Sequence, residues 1–285
     1  MRKVYASAKQ VVIWMGLSNQ WIKAFMNDFP RVSDLAKRWI PKLSGYDSNW
    51  RGEDWPIEYD DFWIGLYYLL DHDWFRRLWT FQEIVLAKKS VFMCGDLHFD
   101  ALAFLNFVRN SIAQVNGYLI YNASVASRIP SKPKVSRLAH NACRSIVDAQ
   151  GHLGAWNNGF QPLAIPPLMH RLRNLQVTEP VDRTWAIAGL LQKDIQTRLE
   201  PFVDYSEQGR KEYWKTYINF AKVISEVGQS LEFLSLPPSA KGKDGNWPSW
   251  CPDLTDMDAC ETLIDGFWHA PIERRDPGIA SFFDG

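Results

Sequence analysis

The 285-residue chain is 46% hydrophobic, enough to bury one large core or two ordinary ones, and its 32 basic residues are balanced by 32 acidic ones. No net field favours nucleic acid or anionic lipid, and no apolar run reaches the ~18 residues of a membrane-spanning helix. The opening residues lack a leader pattern, and the four cysteines (Cys94, Cys143, Cys251, Cys260) lack paired spacing, so the composition reads as a globular chain of a reducing, cytoplasmic compartment.

Fourteen tryptophans are the unusual feature. Their ordinary role is core packing, with carbohydrate stacking, base stacking or an interface as the alternatives.

In chain order, "MRKVYASAKQVVIWMG" begins in a helical register and passes into a short β-branched run closed by Gly16, which predicts a helix feeding a buried strand. Residue 1 already falls within that helix, without a cap or entry turn, so the chain reads as cut at its N-terminus. Residues 18–40 are helical, with Pro30 as an internal break and Pro41 as a stop. The stretch "LSGYDSNWRGEDWPIEYDD" is an exposed loop. From Asp60 a helix runs through "FWIGLYYLL". Asp71 or Asp73 then caps another, starting at Trp74 and containing "DWFRRLWTFQEIVLAKK". Its apolar face is Trp74, Leu78, Phe81 and Val85, widened by Phe75, Ile84 and Leu86, while Arg76, Thr80, Glu83 and Ala87 form a second stripe. "SVFMCG" is a second short strand.

The remainder reads as mostly helical: "FDALAFLNFVRNSIAQV", "VSRLAHNACRSIVDAQ", a loop from Gly151 to Pro167, a helix capped by Asp182, and "SEQGRKEYWKTYINFAKVISEV" capped by Ser206. The end, with "LPPSAKGKDGNWPSWCPDL", is irregular, and no internal repeat is present.

Glu83 is the residue with most chemical interest. Its helical neighbours Trp79, Thr80, Leu86 and Ala87 offer no cation, so its carboxylate faces solvent or finds a partner elsewhere in the fold. Among aromatic residues such a group serves as an acid, a base, a polar anchor for a ligand hydroxyl, or a structurally bonded side chain. His140, Cys143 and His152 are too few and wrongly spaced for zinc, so no metal site is read. The acidic cluster Asp253, Asp256, Asp258 and Glu261 lacks the spacing of a calcium loop and reads as solvated charge. The GxSxG, GxxxxGK[ST], HExxH and GxGxxG signatures are absent, and no cofactor is predicted.

Several blocks together resemble one family. "MRKVYASAKQVVIWMG" is similar to the helix leading into a "VIVWLG" strand of fungal heterokaryon-incompatibility (HET) domains. "WFRRLWTFQEIVLAKKSVFMCG" resembles their "RPWFRRVWVIQEVALA" helix followed by a strand ending in "CG". "EPVDRTWAIAGLL", "PFVDYS" and "WPSWCPDL" resemble the landmarks "DPRDKVYALLGL", "PDYS" and "LPSWVPDW" that often follow the domain. Val181 stands where an arginine is usual, and Phe202-Val203 alters the approach to Asp204-Tyr205-Ser206. The "SYxWG" and "WIDALCINQ" motifs with which HET domains begin are missing from these residues.

The resemblance implies an α/β fold: the C-terminal part of a TIR-like, flavodoxin-like HET domain over residues 1–95, a mostly α-helical extension over 96–255 and an irregular tail over 256–285. It implies fungal non-self recognition ending in regulated cell death, through protein partners or self-association. Comparison with Toll/interleukin-receptor (TIR) domains, some of which cleave NAD, makes NAD a candidate substrate and Glu83 the candidate catalytic carboxylate. Arg76 and Arg77 are candidate phosphate ligands, or ion-pair partners of Asp60, Asp61 or Asp71. A non-enzymatic signalling module and an inert fragment are the alternatives.

Overall fold

The computed structural model describes residues 2–39, 61–114, 165–172, 175–229 and 250–254, together with single positions between them (142, 143, 146, 147, 149, 231, 233, 247 and 248). It divides into two compact units, residues 1–151 and 152–285.

The first unit is built on a three-stranded sheet. β1 (Val11–Trp14) pairs in parallel with β2 (Ser90–Cys94), and β2 pairs antiparallel with β3 (Leu97–Asp100), so β2 is central. Helix α1 (Arg2–Ser7) precedes β1, and α2 (Gln20–Trp39) follows it, started by Asn19, whose Oδ1 accepts the Ile22 amide at 2.8 Å. Next come α3 (Asp61–Leu70), a 3₁₀ turn (Asp73–Arg76) and α4 (Thr80–Val85), and α5 (Ala101–Gln114) follows β3.

A phenylalanine cluster covers one face of the sheet. Phe92 of β2 lies 5.5 Å from both Phe99 of β3 and Phe104 of α5, and Phe25 of α2 lies 4.9 Å from Phe62 of α3 and 5.8 Å from Phe104, measured between ring centroids. These rings are buried, and their edge and tilted contacts are the favoured aromatic geometries. Gly65 is where α3 crosses α2: a β-carbon there would fall 2.1 Å from the Trp21 carbonyl oxygen and 2.6 Å from Phe25 Cβ.

Several expectations are corrected. β1 is not a buried strand. Ile13 faces the core, but Val12 and Trp14 project from the other face and remain 56% and 52% exposed. A β-branched run fixes an extended conformation, not coverage on both sides. Pro30 does not break α2, which runs unbroken to Trp39. The buried face of Ile22, Phe25, Phe29, Val32 and Ala36 outweighs the ~3 kcal/mol that an interior proline costs.

The helix expected from Trp74 is two pieces. Arg77 adopts an extended conformation (φ −93°, ψ 133°) between the 3₁₀ turn and α4. Most of the apolar face is as read, with Trp74, Phe75, Leu78, Phe81, Ile84 and Val85 buried, while Leu86 at its margin is only half-buried. β3 went unread, although Gly95-Asp96 between Cys94 and Leu97 is a two-residue hairpin signal and Gly95 has φ +59°.

In the second unit α6 (Ile165–Leu172) starts inside the expected loop, because Pro166 and Pro167 fall in its first turn, where proline is tolerated. There follow α7 (Asp182–Ala188), α8 (Lys193–Leu199), a 3₁₀ turn (Glu200–Phe202), α9 (Glu207–Lys211) and α10 (Tyr213–Gly228). Ser206 caps α9 as expected, its Oγ accepting the Gly209 amide at 3.1 Å. The long helix read from Ser206 is split at Glu212. Asp182 is the first helical residue and not the cap, which is Val181. No helix among the described residues is long and apolar enough to cross a membrane.

Candidate functional site

The geometry around Glu83 follows from the broken helix. His72 Nδ1 accepts the Trp74 amide at 3.1 Å and starts the 3₁₀ turn. Burial lowers the His72 pKa, opposed by Asp73, which favours the neutral ring that can accept this bond. Arg76 is held by Asp71 Oδ1 at 2.6 Å and Asp73 Oδ1 at 3.2 Å, the ion-pair alternative read for it from the sequence, while Arg77 is exposed. Thr80 Oγ1 then donates to the Arg77 carbonyl at 2.6 Å where α4 begins.

In a continuous helix Trp74 and Glu83, nine residues apart, would be about two and a half turns apart and on opposite faces. The break brings them together: the Trp74 indole Nε1 donates to Glu83 Oε2 at 3.0 Å. The same indole packs edge-on against Phe92 at 5.2 Å, which ties it to the core. From α1, the Tyr5 hydroxyl also donates to the Glu83 carboxylate, with Arg77 near enough to act on it. The Tyr5 pKa is raised, by burial first and by the Glu83 charge second, against the opposing pull of Arg77. Glu83 is half-buried. Its carboxylate is thus held by two neutral donors and links α1, the 3₁₀ turn and α4.

Two results follow. Glu83→Ala removes the shared acceptor and is expected to cost about 1–3 kcal/mol, the price of unsatisfied donors, with Glu83→Gln milder; urea unfolding measures both. Because Tyr5 binds its proton more tightly folded than unfolded, its stabilisation is complete below the ordinary tyrosine pKa and lost as pH rises through the raised value. Tyr5→Phe is expected to flatten the alkaline fall in stability relative to the parent chain, as measured by unfolding between neutral pH and the tyrosine range.

Residues 1–83 match the family model described as heterokaryon incompatibility protein (HET). This segment is similar to the HET domain. It aligns at 30% identity over 121 residues with Heterokaryon incompatibility protein 6, OR allele, of Neurospora crassa, a match covering 33% of this chain and 17% of that protein. No solved structure matches the chain. The segment matched by the HET model runs from α1 to Glu83 itself, so Tyr5, Trp74, Arg77 and Glu83 all lie within it.

The remaining landmarks of the HET resemblance converge in the second unit. Asp182 Oδ1 accepts the Tyr205 hydroxyl at 2.7 Å, joining "VDRTW" to "VDYS". The Tyr217 hydroxyl donates to the Pro180 carbonyl at 2.6 Å, and Trp247 Nε1 to the Cys251 carbonyl at 2.7 Å, with the Tyr217 and Trp247 rings 6.1 Å apart. Asp253 is 0% exposed, and burial lowers the Arg183 pKa against the opposing pull of Tyr217 and of Asp253, which lies close enough to favour the charged guanidinium. The reading of Asp253 as solvated charge is therefore corrected: Arg183 offsets the cost of burying a carboxylate. Burial pushes the neighbouring Cys251 thiol up to about 12, with the Asp253 charge adding to it. Asp256, Asp258, Glu261, His140 and His152 lie outside the described residues; Cys143 is buried.

Sequence periodicity found Glu83 but missed Tyr5 and Trp74 as its partners. Only the alternation of polar tips on aromatic residues (Tyr5, Trp74) hinted that they need acceptors when covered.

Proposed function

We propose that this protein acts in heterokaryon incompatibility, as a non-self recognition factor whose engagement ends in regulated cell death. The observation that supports the reading is the HET match of residues 1–83 together with the incompatibility protein named for the Neurospora relative. Within it, the Tyr5–Glu83–Trp74 cluster is a positioning device: it fixes α1, and hence β1, against α4. Cys94, Cys143 and Cys251 are buried free thiols, which suits work in the cytoplasm.

The test is expression of the chain in one of two fusing fungal strains, scoring growth arrest and dye uptake in the fused cells. Arrest that depends on the partner strain supports the reading; unrestricted growth with every partner strain overturns it.

A second reading makes the HET segment a TIR-like NAD-cleaving domain with Glu83 as the catalytic carboxylate, orienting the ribose hydroxyls and stabilising an oxocarbenium-like transition state. One observation favours it: Glu83 is half-buried and held in one orientation, with an exposed Arg77 nearby. Purified protein incubated with NAD decides between them. Under the catalytic reading, Glu83→Gln abolishes turnover while Tyr5→Phe retains most of it; no turnover in the parent chain leaves Glu83 as a positioning residue.

A further inference from the structure

His72 joins α3 to the 3₁₀ turn. Its amide donates to the Leu69 carbonyl at 3.2 Å, and its own carbonyl accepts the Phe75 amide at 3.0 Å. The ring completes the start of the turn, with Nδ1 accepting the Trp74 amide at 3.1 Å. The side chains preferred at such starts, Ser, Thr, Asp and Asn, accept through an oxygen that stays an acceptor at any physiological pH. An imidazole nitrogen accepts only while it carries no proton.

We infer that His72 is an acid-sensitive release for the Glu83 cluster: a proton on Nδ1 turns the acceptor into a donor facing the Trp74 amide, uncaps the 3₁₀ turn and frees the Trp74 indole from Glu83. The chain of contacts is short. Trp74 is the second residue of the turn that His72 caps, and its indole Nε1 is one of the two donors to the Glu83 carboxylate, at 3.0 Å. The other donor is Tyr5 of α1. Protonation of one ring therefore reaches, through Trp74 and Glu83, the contact that ties α1 to α4.

The surroundings of the ring set the pH range. Half-burial is the largest influence and disfavours the charged form. Among the described residues the charged groups that act on the ring are Asp73, which favours the imidazolium, and Arg76, which opposes it and is itself held by Asp71 and Asp73. Neither Glu83 of α4 nor Tyr5 of α1 acts on it directly. The folded chain thus binds this proton less readily than the unfolded one. The stabilisation from His72 is complete above the ordinary histidine value of 6.5 and is lost as pH falls through the lowered value of the folded chain. The inference stands on the hydrogen bond at Nδ1 and is independent of the function proposed above.

The test is nuclear magnetic resonance of the full 285-residue chain with nitrogen-labelled tryptophan, titrated from about pH 8 to about pH 5 across the histidine range. The Trp74 indole and backbone N–H signals are followed, assigned by their loss in Trp74→Phe. Both are expected to move with one midpoint below 6.5. Exchange of the indole proton, corrected for its intrinsic pH dependence, is expected to be roughly tenfold faster at the acid end, the scale of a lost cap. His72→Asn places an amide oxygen where Nδ1 stands, so it keeps the cap without titrating and holds both signals constant over the same range. His72→Ser supplies a second oxygen cap and takes its place if the asparagine variant fails to fold by circular dichroism. A transition that persists in the oxygen-capped variant would overturn the proposal and assign the release to protonation elsewhere, Glu83 first. Trp74 signals that stay fixed in the parent chain while the His72 ring titrates, or that do not move at all, would overturn it equally.

Discussion

Gly65→Ala is expected to destabilise the first unit by about 3 kcal/mol, the scale of severe overpacking, and to loosen the contact between α2 and α3. The added methyl would lie 2.1 Å from the Trp21 carbonyl oxygen and 2.6 Å from Phe25 Cβ, so backbone must move. Helix propensity predicts the opposite sign, since alanine is favoured over glycine in a helix by roughly 0.5–1 kcal/mol. The direction of the change therefore separates close helix approach from local preference. The consequence reaches the sheet, because Phe25 and Phe62 sit at the crossing and Phe25 touches Phe104, which packs on Phe92. Hydrogen exchange of residues 61–70 and a chemical unfolding curve measure the effect; an unchanged or raised midpoint would show that the helices do not approach this closely.

Asp253→Ala is expected to have the largest effect in the second unit. It leaves the half-buried Arg183 guanidinium without the carboxylate that offsets its desolvation, at a cost toward the lower end of the ~3–5 kcal/mol typical of a broken buried pair. The double variant Arg183→Met, Asp253→Leu removes both charges and is expected to recover much of the loss, because two apolar side chains need no compensation. Unfolding curves of the parent, Arg183→Met, Asp253→Leu and the double variant form the double-mutant cycle that isolates the interaction. Trp247, which donates to the Cys251 carbonyl within the same stretch, supplies a local fluorescence signal for the segment. If Asp253→Ala shifts neither the midpoint nor that signal, the carboxylate contributes nothing to holding Trp247–Leu254 in place.

The two readings of Glu83 show how far sequence pattern carries. Its helical neighbours gave no cation, and that inference was sound: the structure supplies neutral donors, Trp74 and Tyr5. Neither was legible, since Tyr5 is distant in the chain and Trp74 is on the wrong face for any unbroken helix. The edge character of β1 was equally hidden. Val11–Trp14 has the same composition whether covered on one face or two, so its side-chain types specified extension and left exposure open.

What the amino-acid sequence determined by itself was local and periodic: helices at α2, α3 and α10, the strands β1 and β2, the Ser206 cap, and the apolar stripe from Trp74 to Val85. Each follows from side-chain spacing and short-range hydrogen bonding, which need only neighbouring residues. Tertiary structure alone decided that Pro30 is carried through α2, that Arg77 interrupts a helix, that Asp253 is buried beside Arg183, and that Val12 and Trp14 remain uncovered. Those outcomes depend on burial summed over distant residues, where a packed aromatic face or an opposite charge outweighs the local preference of any one position.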